Sequence, residues 1–331
     1  MKKISIIGDG GWGTALSLVL CENGHKVTVW GPFPEYLETI KTSRENKIFL
    51  PGVQIPPEIK WTADQKEATE EADIVILASP TKFFRPVIEA FTNLLPPSCS
   101  IISVAKGLDQ KTHKRMTQVA EEFFPQAKIS ALSGPSHAEE VARQVPTAVV
   151  IASGNEQDSR ELQSVFANTH FRVYTSDDVA GIEFGGALKN IVAIAVGISD
   201  GMGFGDNTRA ALITRGLAEI TRLGSALGAK ASTFAGLSGM GDLVATCTSR
   251  LSRNRGVGER IGKGESMDHI LGNMKQAAEG VWNCACAYDL ANNASIDVPI
   301  TREVYEIIHK GKNPYDAVRS LLAREMKAEI R

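Results

Sequence analysis

Lys189 lies near the start of a long apolar stretch, where its side chain could take part in acid–base chemistry. Between residues 182 and 199 the charged residues are Glu183 and Lys189. A helix that is apolar on nearly every face is a buried helix, and burying an ammonium group is costly unless a partner compensates it. Burial also lowers the pKa of a lysine toward values that suit proton transfer. We therefore expect Lys189 to be either paired structurally or used in a reaction.

The N-terminal segment ISIIGDGGWGTAL predicts a strand, a tight turn and a helix. Gly8, Gly10 and Gly13 give the G-x-G-x-x-G spacing, in which the glycines let the backbone approach a pyrophosphate at the positive end of the helix. Because the turn follows the first strand of a chain that alternates strands and helices, it predicts a dinucleotide site. The alternative is a glycine-rich turn without a ligand.

The segment after the second predicted strand usually distinguishes NAD from NADP. NAD sites carry an acidic residue there for the ribose hydroxyl, whereas an arginine accommodates the 2′-phosphate of NADP. The sequence VTVWGPFPE has no acidic residue before Glu35 and no arginine. The sequence therefore predicts NAD or NADP as the cofactor, without a choice between them.

Three further segments place polar side chains where a ligand could bind. Lys106 directly follows a predicted strand, at the edge where open α/β sheets bind ligands, although a solvated lysine would occupy the same place. Gly134 and Ser136 stand at the opening of a predicted helix, where Ser136 could bind an anion or simply cap the helix. Asp242 and Thr246 are four residues apart and share a helix face, although Asp242 could be only an N-cap.

Arg250, Arg253 and Arg255 form a basic segment around Asn254 in a chain of balanced charge. Guanidinium groups bind phosphate oxygens in pairs, which makes a phosphate-bearing ligand a reasonable hypothesis. A solvated basic surface explains the same residues equally well.

The bulk composition is that of a globular protein and excludes several functions. The 331 residues suffice for two domains, and 43% hydrophobic with 22% charged residues argue against disorder. The net charge of −2 gives no general attraction to nucleic acid. The five cysteines lack metal-site spacing and predict reduced thiols in a cytoplasmic protein. We expect no signal peptide and no membrane span, because Gly8 and Asp9 interrupt the first apolar run and IVAIAVGI is far shorter than the roughly 20 residues that cross a bilayer.

Periodicity predicts an α/β fold: an N-terminal Rossmann-type, doubly wound, mainly parallel sheet and an all-helical C-terminal domain. Strands are predicted at residues 4–7, 26–30, 73–78, 100–104, 128–132, 147–152 and 171–174. Long helices are predicted at residues 178–199, 208–227, 276–293 and 302–309. We predict a dinucleotide-binding domain over 1–186 and a helical substrate and catalytic domain over 187–331. The helix that carries Lys189 would form the junction, where ligands often bind.

Several long motifs resemble the bacterial NAD(P)-dependent glycerol-3-phosphate dehydrogenases, and they extend over nearly the whole chain. They are GDGGWGTAL, NKIFLPG, SVAKGLD, SGPSHAEEVA, GALKNIVAIAVGISDGMGFGDNTRAALITRGLAE, SGMGDLVATCTSRLSRNRGVG and VPITREVYEI. The resemblance implies the reversible NAD(P)H-dependent reduction of dihydroxyacetone phosphate to sn-glycerol 3-phosphate, which supplies phospholipid synthesis. We expect a homodimer if an apolar helix of the second domain is exposed.

The resemblance also implies roles for individual residues. The implied catalytic residues are Lys189 as the acid/base, Lys106 and Asp242. The implied substrate ligands are Lys106, Gly134, Ser136, Asn190, Asp242, Thr246, Ser252, Arg253 and Asn254, with Ser252, Arg253 and Asn254 at the phosphate end. The implied cofactor contacts are Gly8, Gly10, Gly11, Trp12, Gly13, Lys106, Ala138, Arg253, Ala277 and Glu279. No metal is implied.

Three places depart from the family pattern. His137 stands where phenylalanine is common, and Ala277 and Ala278 stand where valines are usual. Gly31 and Pro32 replace a frequent arginine, which weakens any preference for NADP.

Two rival functions are a related hydroxyacid dehydrogenase that acts on a carboxylate and a nicotinamide sensor without turnover.

Overall fold

A single mixed sheet organises the N-terminal part of the protein. The computed structural model describes residues 1–274, 277–326, 328 and 329, and eight strands lie within them. The strands are β1 (Lys3–Ile7), β2 (Lys26–Trp30), β3 (Lys60–Thr62), β4 (Ile74–Leu77), β5 (Ser100–Ser103), β6 (Lys128–Ser133), β7 (Thr147–Ser153) and β8 (Phe171–Ser176). Their order in the sheet is β3-β2-β1-β4-β5-β6-β7-β8. The central strands are buried on both faces and are therefore apolar along most of their length.

The predicted fold class is confirmed, with two differences in the sheet. All neighbouring strands are parallel except β6 and β7, which pair antiparallel. The connection between them contains only the four-residue helix Ala138–Val141, and without a full crossover helix the chain returns alongside β6 in the opposite direction. The sequence missed β3, because a three-residue edge strand is too short to show a periodic pattern.

Helices cover both faces of the sheet, as a doubly wound fold requires. They are α1 (Gly11–Glu22), α2 (Pro34–Ser43), α3 (Gln65–Thr69), α4 (Thr81–Glu89), α5 (Met116–Phe123), α6 (Ala138–Val141) and α7 (Glu156–Phe166). On one face α1, α2 and α7 bury side chains such as Leu16, Ile40 and Val165. On the other face α4 and α5 bury Phe84 and Val119. The sheet therefore separates two hydrophobic cores.

Helices joined by short connections form the C-terminal part, which has no strand among its described residues. Its elements are α8 (Val179–Gly201), α9 (Asp206–Ala226), α10 (Ala231–Phe234), a π-helical turn (Leu237–Gly241), α11 (Asp242–Thr248), α12 (Arg253–Gly262), α13 (Met267–Gly272), α14 (Glu279–Asn293), α15 (Pro299–Lys310) and α16 (Pro314–Leu322). The four predicted long helices correspond to α8, α9, α14 and α15. The predicted start of one of them, Gln276, lies outside the described residues. Among the shorter helices, the sequence predicted the helix face shared by Asp242 and Thr246, which lies in α11, but not α10, α12, α13 or α16.

Helix α8 is the buried centre of the C-terminal core and packs against the helices around it. It runs through the predicted domain boundary at residue 186, so the division of the chain at that point stays a prediction. Its C-terminal half lies directly against α12, because a Cβ at Gly197 would be 2.0 Å from the Arg255 carbonyl oxygen and a Cβ at Gly258 would be 2.1 Å from that of Ile194. Only glycine permits this approach, which brings the start of α12 next to α8.

Candidate active site

A buried lysine–carboxylate cluster lies where α8, α11 and the segment after β5 meet. Asp242 accepts hydrogen bonds from both lysines: Lys189 Nζ donates to Oδ1, and Lys106 Nζ lies 2.9 Å from Oδ2. The side chains of Lys189 and Asp242 are 6% and 3% exposed, and that of Lys106 is 19% exposed. The structure thus brings the three residues that were expected to be catalytic into one cluster. The burial predicted for Lys189 is confirmed.

The two lysines differ in how many of their N–H donors are used. Besides the shared carboxylate, Lys106 Nζ donates to the Gly134 carbonyl at 2.7 Å and to Ser136 Oγ at 3.3 Å. Besides the same carboxylate, Lys189 Nζ donates to Thr246 Oγ1 at 2.7 Å. An ammonium group has three donors. Within the described part of the chain, one N–H of Lys189 therefore has no protein partner, and it can bind a ligand oxygen.

Burial and charge shift the pKa values of Lys189 and Asp242. Burial lowers the pKa of Lys189 to about 8, a shift that the carboxylate of Asp242 opposes and the charge of Lys106 increases. Burial also disfavours the ionised form of Asp242, yet the two lysines hold the pKa of that carboxyl below its ordinary value. Near neutral pH the cluster contains a carboxylate together with a lysine that exchanges its proton close to physiological pH.

The backbone around Asp242 explains why its side chain faces the lysines. Asp242 is the first residue of α11 and directly follows the π-helical turn, so the N-cap position belongs to Gly241. The alternative that Asp242 is only an N-cap is therefore wrong. Thr246 follows one turn later, and its Oγ1 donates to the Asp242 carbonyl at 2.6 Å. The predicted common helix face of these two residues is confirmed.

The segment before α6, which contains Ser136, lies against the cluster. One alternative for Ser136 was that its side chain caps α6. His137 occupies the N-cap position of α6 without a side-chain cap, whereas Ser136 Oγ donates to the Gly134 carbonyl at 3.0 Å. Helix capping by Ser136 is therefore wrong. His137 Nε2 is buried without a hydrogen-bond partner among the described residues. Burial lowers the pKa of His137, and the charge of Lys189 lowers it further.

Buried amides connect α8, α12 and α14 beside the lysines. Asn254 Nδ2 donates to Asn190 Oδ1 at 3.0 Å, and Asn254 Oδ1 accepts from the Gly280 amide at 2.9 Å. Asn190 Nδ2 lies 3.5 Å from the Lys106 carbonyl oxygen. Two implied substrate ligands, Asn190 and Asn254, are therefore fixed next to the charged cluster.

The predicted basic segment separates into residues with different surroundings. Ser252 Oγ caps α12 by accepting from the Arg255 amide at 3.2 Å. Arg255 pairs with Asp200 at 2.6 Å, which gives it a structural partner. Arg250 and Arg253 are exposed, and neither forms a salt bridge with a residue that the structure describes. Arg253, next to Asn254, therefore has no described counter-ion in contact, although burial lowers the pKa of its guanidinium and the charge of Glu279 opposes that shift.

Two residues that the sequence did not identify help to hold the site. Asn283 on α14 donates from Nδ2 to the Lys106 carbonyl at 3.4 Å and accepts at Oδ1 from the Leu108 amide at 3.2 Å. Thr81 donates its amide to Glu279 Oε1 at 3.0 Å and its hydroxyl to Oε2. Burial raises the pKa of Glu279, although both bonds from Thr81 oppose this. Thr81 could have been found from its place just beyond β4, whereas nothing in the sequence distinguishes Asn283.

The glycine turn between β1 and α1 fits a dinucleotide pyrophosphate. Gly8 has φ 132°, and a Cβ there would lie 2.8 Å from the Ala78 carbonyl group. A Cβ at Gly13 would lie 2.1 Å from the Gly8 carbonyl oxygen, which explains the close packing of helix on strand. A Cβ at Gly10 would meet nothing within 4 Å. The turn therefore leaves space in front of the free N–H groups of α1, where an anionic group binds favourably.

The other implied cofactor contacts lie around this turn or near the amides. A Cβ at Gly11 would be 3.7 Å from that of Ala138, so these two residues are neighbours. Trp12 follows on α1, and its Nε1 is buried without a partner among the residues that the structure describes. Ala277 is partly buried and lies two residues before Glu279.

The described ranges contain no candidate metal site, and their one long apolar helix is buried. No group of three or more His, Cys, Asp or Glu side chains there could hold a metal ion. Helix α8 is the one described helix long and apolar enough to cross a membrane, with a mean hydropathy of 1.5, but 83% of its most apolar window is buried inside the protein.

Known proteins resemble this chain over nearly its full length. Family models for the N-terminus and the C-terminus of NAD-dependent glycerol-3-phosphate dehydrogenase match residues 3–159 and 178–319. Glycerol-3-phosphate dehydrogenase (NAD(P)+) of Citrifermentans bemidjiense is 46% identical, and that of a Thermoanaerobacter species is 48% identical, each over 99% of both chains. The crystal structure of glycerol-3-phosphate dehydrogenase from Coxiella burnetii has a TM-score of 0.94 at 40% identity and covers 98% of this chain and 99% of its own.

Proposed function

Because the chain belongs to the NAD-dependent glycerol-3-phosphate dehydrogenase family, we propose that Lys189 is the acid/base of its reaction. The enzyme is an NAD(P)-dependent oxidoreductase that reduces dihydroxyacetone phosphate to glycerol 3-phosphate. One observation carries the proposal: among the described residues the buried Lys189 ammonium has two protein acceptors, which leaves one N–H for a ligand oxygen.

Reduction of the ketone requires a hydride on the carbonyl carbon and a proton on the oxygen. A bound reduced nicotinamide supplies the hydride. As negative charge builds on the oxygen, Lys189 donates a proton to it, which leaves a neutral amine and a secondary alcohol. In the reverse direction the amine removes the hydroxyl proton. A pKa of about 8 makes Lys189 usable in both directions.

Lys106 and Asp242 prepare the site for this transfer. Asp242 holds Lys189 in place and favours its ammonium form, while Lys106 adds positive charge near the developing oxyanion. Lys106 is itself fixed by three acceptors, so it stabilises charge without changing its position. We therefore assign Lys106 an electrostatic role and Lys189 the proton transfer.

The phosphate of the substrate would bind at the start of α12. Arg253 is exposed without a salt bridge among the described residues, and the neighbouring Asn254 is hydrogen-bonded to Asn190 on the helix of Lys189. Binding the remote phosphate there orients the ketone toward Lys189. Gly134, Ser136, Asn190, Thr246 and Ser252 would complete the substrate site, and Gly8, Gly10, Gly11, Trp12, Gly13, Ala138, Ala277 and Glu279 the cofactor site.

The substrate class is tested by following NADH or NADPH absorbance with different ketones. We expect fast turnover with dihydroxyacetone phosphate and none with 2-keto acids of similar size. Rapid turnover of a 2-keto acid would support a hydroxyacid dehydrogenase instead. Tight nicotinamide binding without turnover of any ketone would support a sensor.

Replacing Arg253 tests the phosphate assignment. Arg253→Ala should lower kcat/KM for dihydroxyacetone phosphate by about 100-fold, because a charge-assisted bidentate contact to phosphate is lost, and should have a much smaller effect on kcat/KM for unphosphorylated dihydroxyacetone. Arg250→Ala removes an exposed charge from the same segment and is the matched control. Equal losses in both variants would mean that only the general charge of the segment matters.

We further propose a cytoplasmic enzyme that supplies phospholipid synthesis. The five cysteines are free thiols in the structure, which suits a reducing compartment. Deleting the gene in its host should create a requirement for glycerol 3-phosphate that this chain restores and its Lys189→Met variant does not. Growth without the supplement would contradict the proposal.

A homodimer through the last helices is also proposed. An open groove of about 620 Å³ lies among α8, α9, α15 and α16, and Leu322, which lines it, is 81% exposed. Large exposed apolar side chains beside an apolar groove favour association. Light scattering on the purified protein should give twice the 35.6 kDa mass of the chain. A monomer at micromolar concentration would exclude a stable dimer.

A further inference from the structure

The first variable residue of the glycine turn, Asp9, has a side chain that the mechanism above does not use. Its Oδ2 is buried without a hydrogen-bond partner, and no lysine or arginine among the described residues forms a salt bridge with it. Burial raises the pKa of Asp9. A buried carboxylate oxygen without a donor costs stability. An unpaired acceptor retained inside the nucleotide turn indicates that a ligand supplies the donor.

The position of this carboxylate is set by the pairing of β1 with β2. Ile7 and Trp30 are partners at the ends of these parallel strands, so Asp9 and Gly31 both follow at the same edge. A Cβ at Gly31 would lie 2.5 Å from Asp9 Oδ2. Residue 31 must therefore be glycine for the carboxylate to lie across the end of β2. This is the place where NAD-binding folds of this type usually present an acidic residue from β2 itself.

Neighbouring polar groups hold the backbone of Asp9 in place. Asn46 is fully buried, and its Nδ2 donates to the Asp9 carbonyl at 2.8 Å and to Thr14 Oγ1 at 2.7 Å. Tyr36 donates its hydroxyl to Asn46 Oδ1 at 2.5 Å. The backbone from which the Asp9 carboxylate projects is therefore held in place.

The charges around the end of β2 favour a neutral ribose over a phosphorylated one. The segment GPFPEYLETI, residues 31–40, contains no lysine or arginine and two acidic residues, Glu35 and Glu38. A 2′-phosphate placed beside the Asp9 carboxylate would meet like charge, whereas a ribose hydroxyl would donate a hydrogen bond to it.

We propose that Asp9 replaces the missing β2 carboxylate, accepts a hydrogen bond from the adenosine ribose and makes the enzyme select NAD(H) over NADP(H). The inference concerns the cofactor site alone and does not depend on the role of Lys189. Gly31 is part of the same device, because any side chain there would displace the carboxylate. Asp9, the selecting residue, thus follows β1, and Gly31, which leaves space for its carboxylate, follows β2.

Direct binding of each reduced cofactor tests this proposal. Dissociation constants for NADH and NADPH are measured by cofactor fluorescence on the wild type, on Asp9→Asn and on Glu35→Gln, all without substrate. The wild type should bind NADH at least about tenfold more tightly than NADPH, in keeping with one charge-assisted hydrogen bond. Asp9→Asn should lose that ratio, mainly through weaker NADH binding and stronger NADPH binding.

Glu35→Gln is the matched control, since it removes an exposed carboxylate from the same region and should change the ratio of the two constants far less than Asp9→Asn does. Equal binding of the two cofactors by the wild type, or an unchanged ratio in Asp9→Asn, would overturn the proposal. Loss of selectivity in Glu35→Gln instead would assign the role to Glu35. Thermal unfolding of Asp9→Asn checks folding, and a midpoint at or above that of the wild type is expected because a buried charge is removed. Failure of both cofactors to bind the wild type would contradict the dehydrogenase function itself, which is a separate result.

Discussion

Helix α8 carries two buried charges six residues apart, and their surroundings differ. Glu183 faces α5, where the Thr117 amide lies 2.9 Å from Oε1 and the Thr117 hydroxyl 2.5 Å from Oε2. Arg115 Nη1 also donates to Oε2, at 2.5 Å. Both oxygens of Glu183 are thus bound within the protein. Lys189 faces α11 and keeps one N–H without a protein partner in the described structure.

The comparison shows that a buried charge does not by itself indicate a functional site. Glu183 joins the sheet domain to α8 through a side chain whose partners come from the protein, so it offers nothing to a substrate. Burial lowers the pKa of Lys189, and the second lysine that shares its carboxylate lowers it further, while one N–H donor of Lys189 has no partner among the described residues. Spare hydrogen-bonding capacity and competition for one counter-ion distinguish Lys189, the proposed acid/base, from Glu183.

The largest expected effect follows from replacing Lys189, the proposed acid/base. Lys189→Met replaces a buried ammonium with an apolar side chain of similar length, so the fold should be retained while the proton donor is lost. Loss of general acid catalysis should lower kcat for dihydroxyacetone phosphate by about 1,000-fold or more. The dissociation constant of NADH, measured by fluorescence, should change less than about twofold. Full activity in a folded variant would refute the role of Lys189.

Removing the charge of Glu183 should lower stability and leave turnover nearly unchanged. Glu183→Gln leaves Arg115 without its counter-ion between α5 and α8, and breaking a buried pair in this way costs about 3 kcal/mol of unfolding free energy. Urea denaturation measures this loss as a lower midpoint with an unchanged slope. Turnover of the folded variant should stay within about twofold of the wild type. A large loss of kcat with unchanged stability would mean that the two charges have been assigned the wrong roles.

The sequence was sufficient to find Lys189 but not to separate these roles. The apolar pattern around residues 183 and 189 predicted a buried helix with two charges, and that is confirmed. Which of them has spare capacity depends on Thr117, Thr246 and Asp242, whose contacts with α8 span 53 to 66 residues of chain. No local pattern encodes contacts of that range.

Other features could not be predicted from the sequence, because they too depend on contacts between residues that are distant in the chain. Strand β7 is antiparallel to β6 because the connection between them lacks a helix long enough to cross the sheet. Strand β3 is defined only by its pairing with β2. Asn283 supports Lys106 from α14, 177 residues away. The contact between Asp9 and Gly31 requires the register of β1 on β2. In contrast, the glycine turn was predictable because its spacing is local.

The pH dependence of the two reaction directions gives a further test of the comparison. Reduction needs the ammonium form of Lys189, so kcat/KM for dihydroxyacetone phosphate should be level below a pH of about 8 and fall tenfold per pH unit above it. Oxidation of glycerol 3-phosphate needs the amine and should rise with pH up to the same value and then level off. Asp242→Asn removes a carboxylate that raises the pKa of Lys189, so its remaining activity should break at a lower pH. Glu183→Gln should leave the break unmoved, and a shift in that variant would show that the two charges are coupled.

The smallest expected effects come from the two threonines that accompany these charges. Thr246→Val removes one of the two acceptors that orient Lys189, and a hydrogen bond to a charged group of this kind should be worth about tenfold in kcat, with an almost unchanged KM. Thr117→Val removes one donor from Glu183 while the Thr117 amide remains, so it should cost about 1.5 kcal/mol of stability and leave kcat unchanged. Steady-state kinetics and urea denaturation on both variants separate the two outcomes. Each substitution exchanges a buried hydroxyl for a methyl group on the same scaffold, so a difference in their effects reports the charge that each hydroxyl contacts. If both variants lost only stability, Lys189 would have a structural role like that of Glu183. Proton transfer would then have to be assigned to another residue of the cluster.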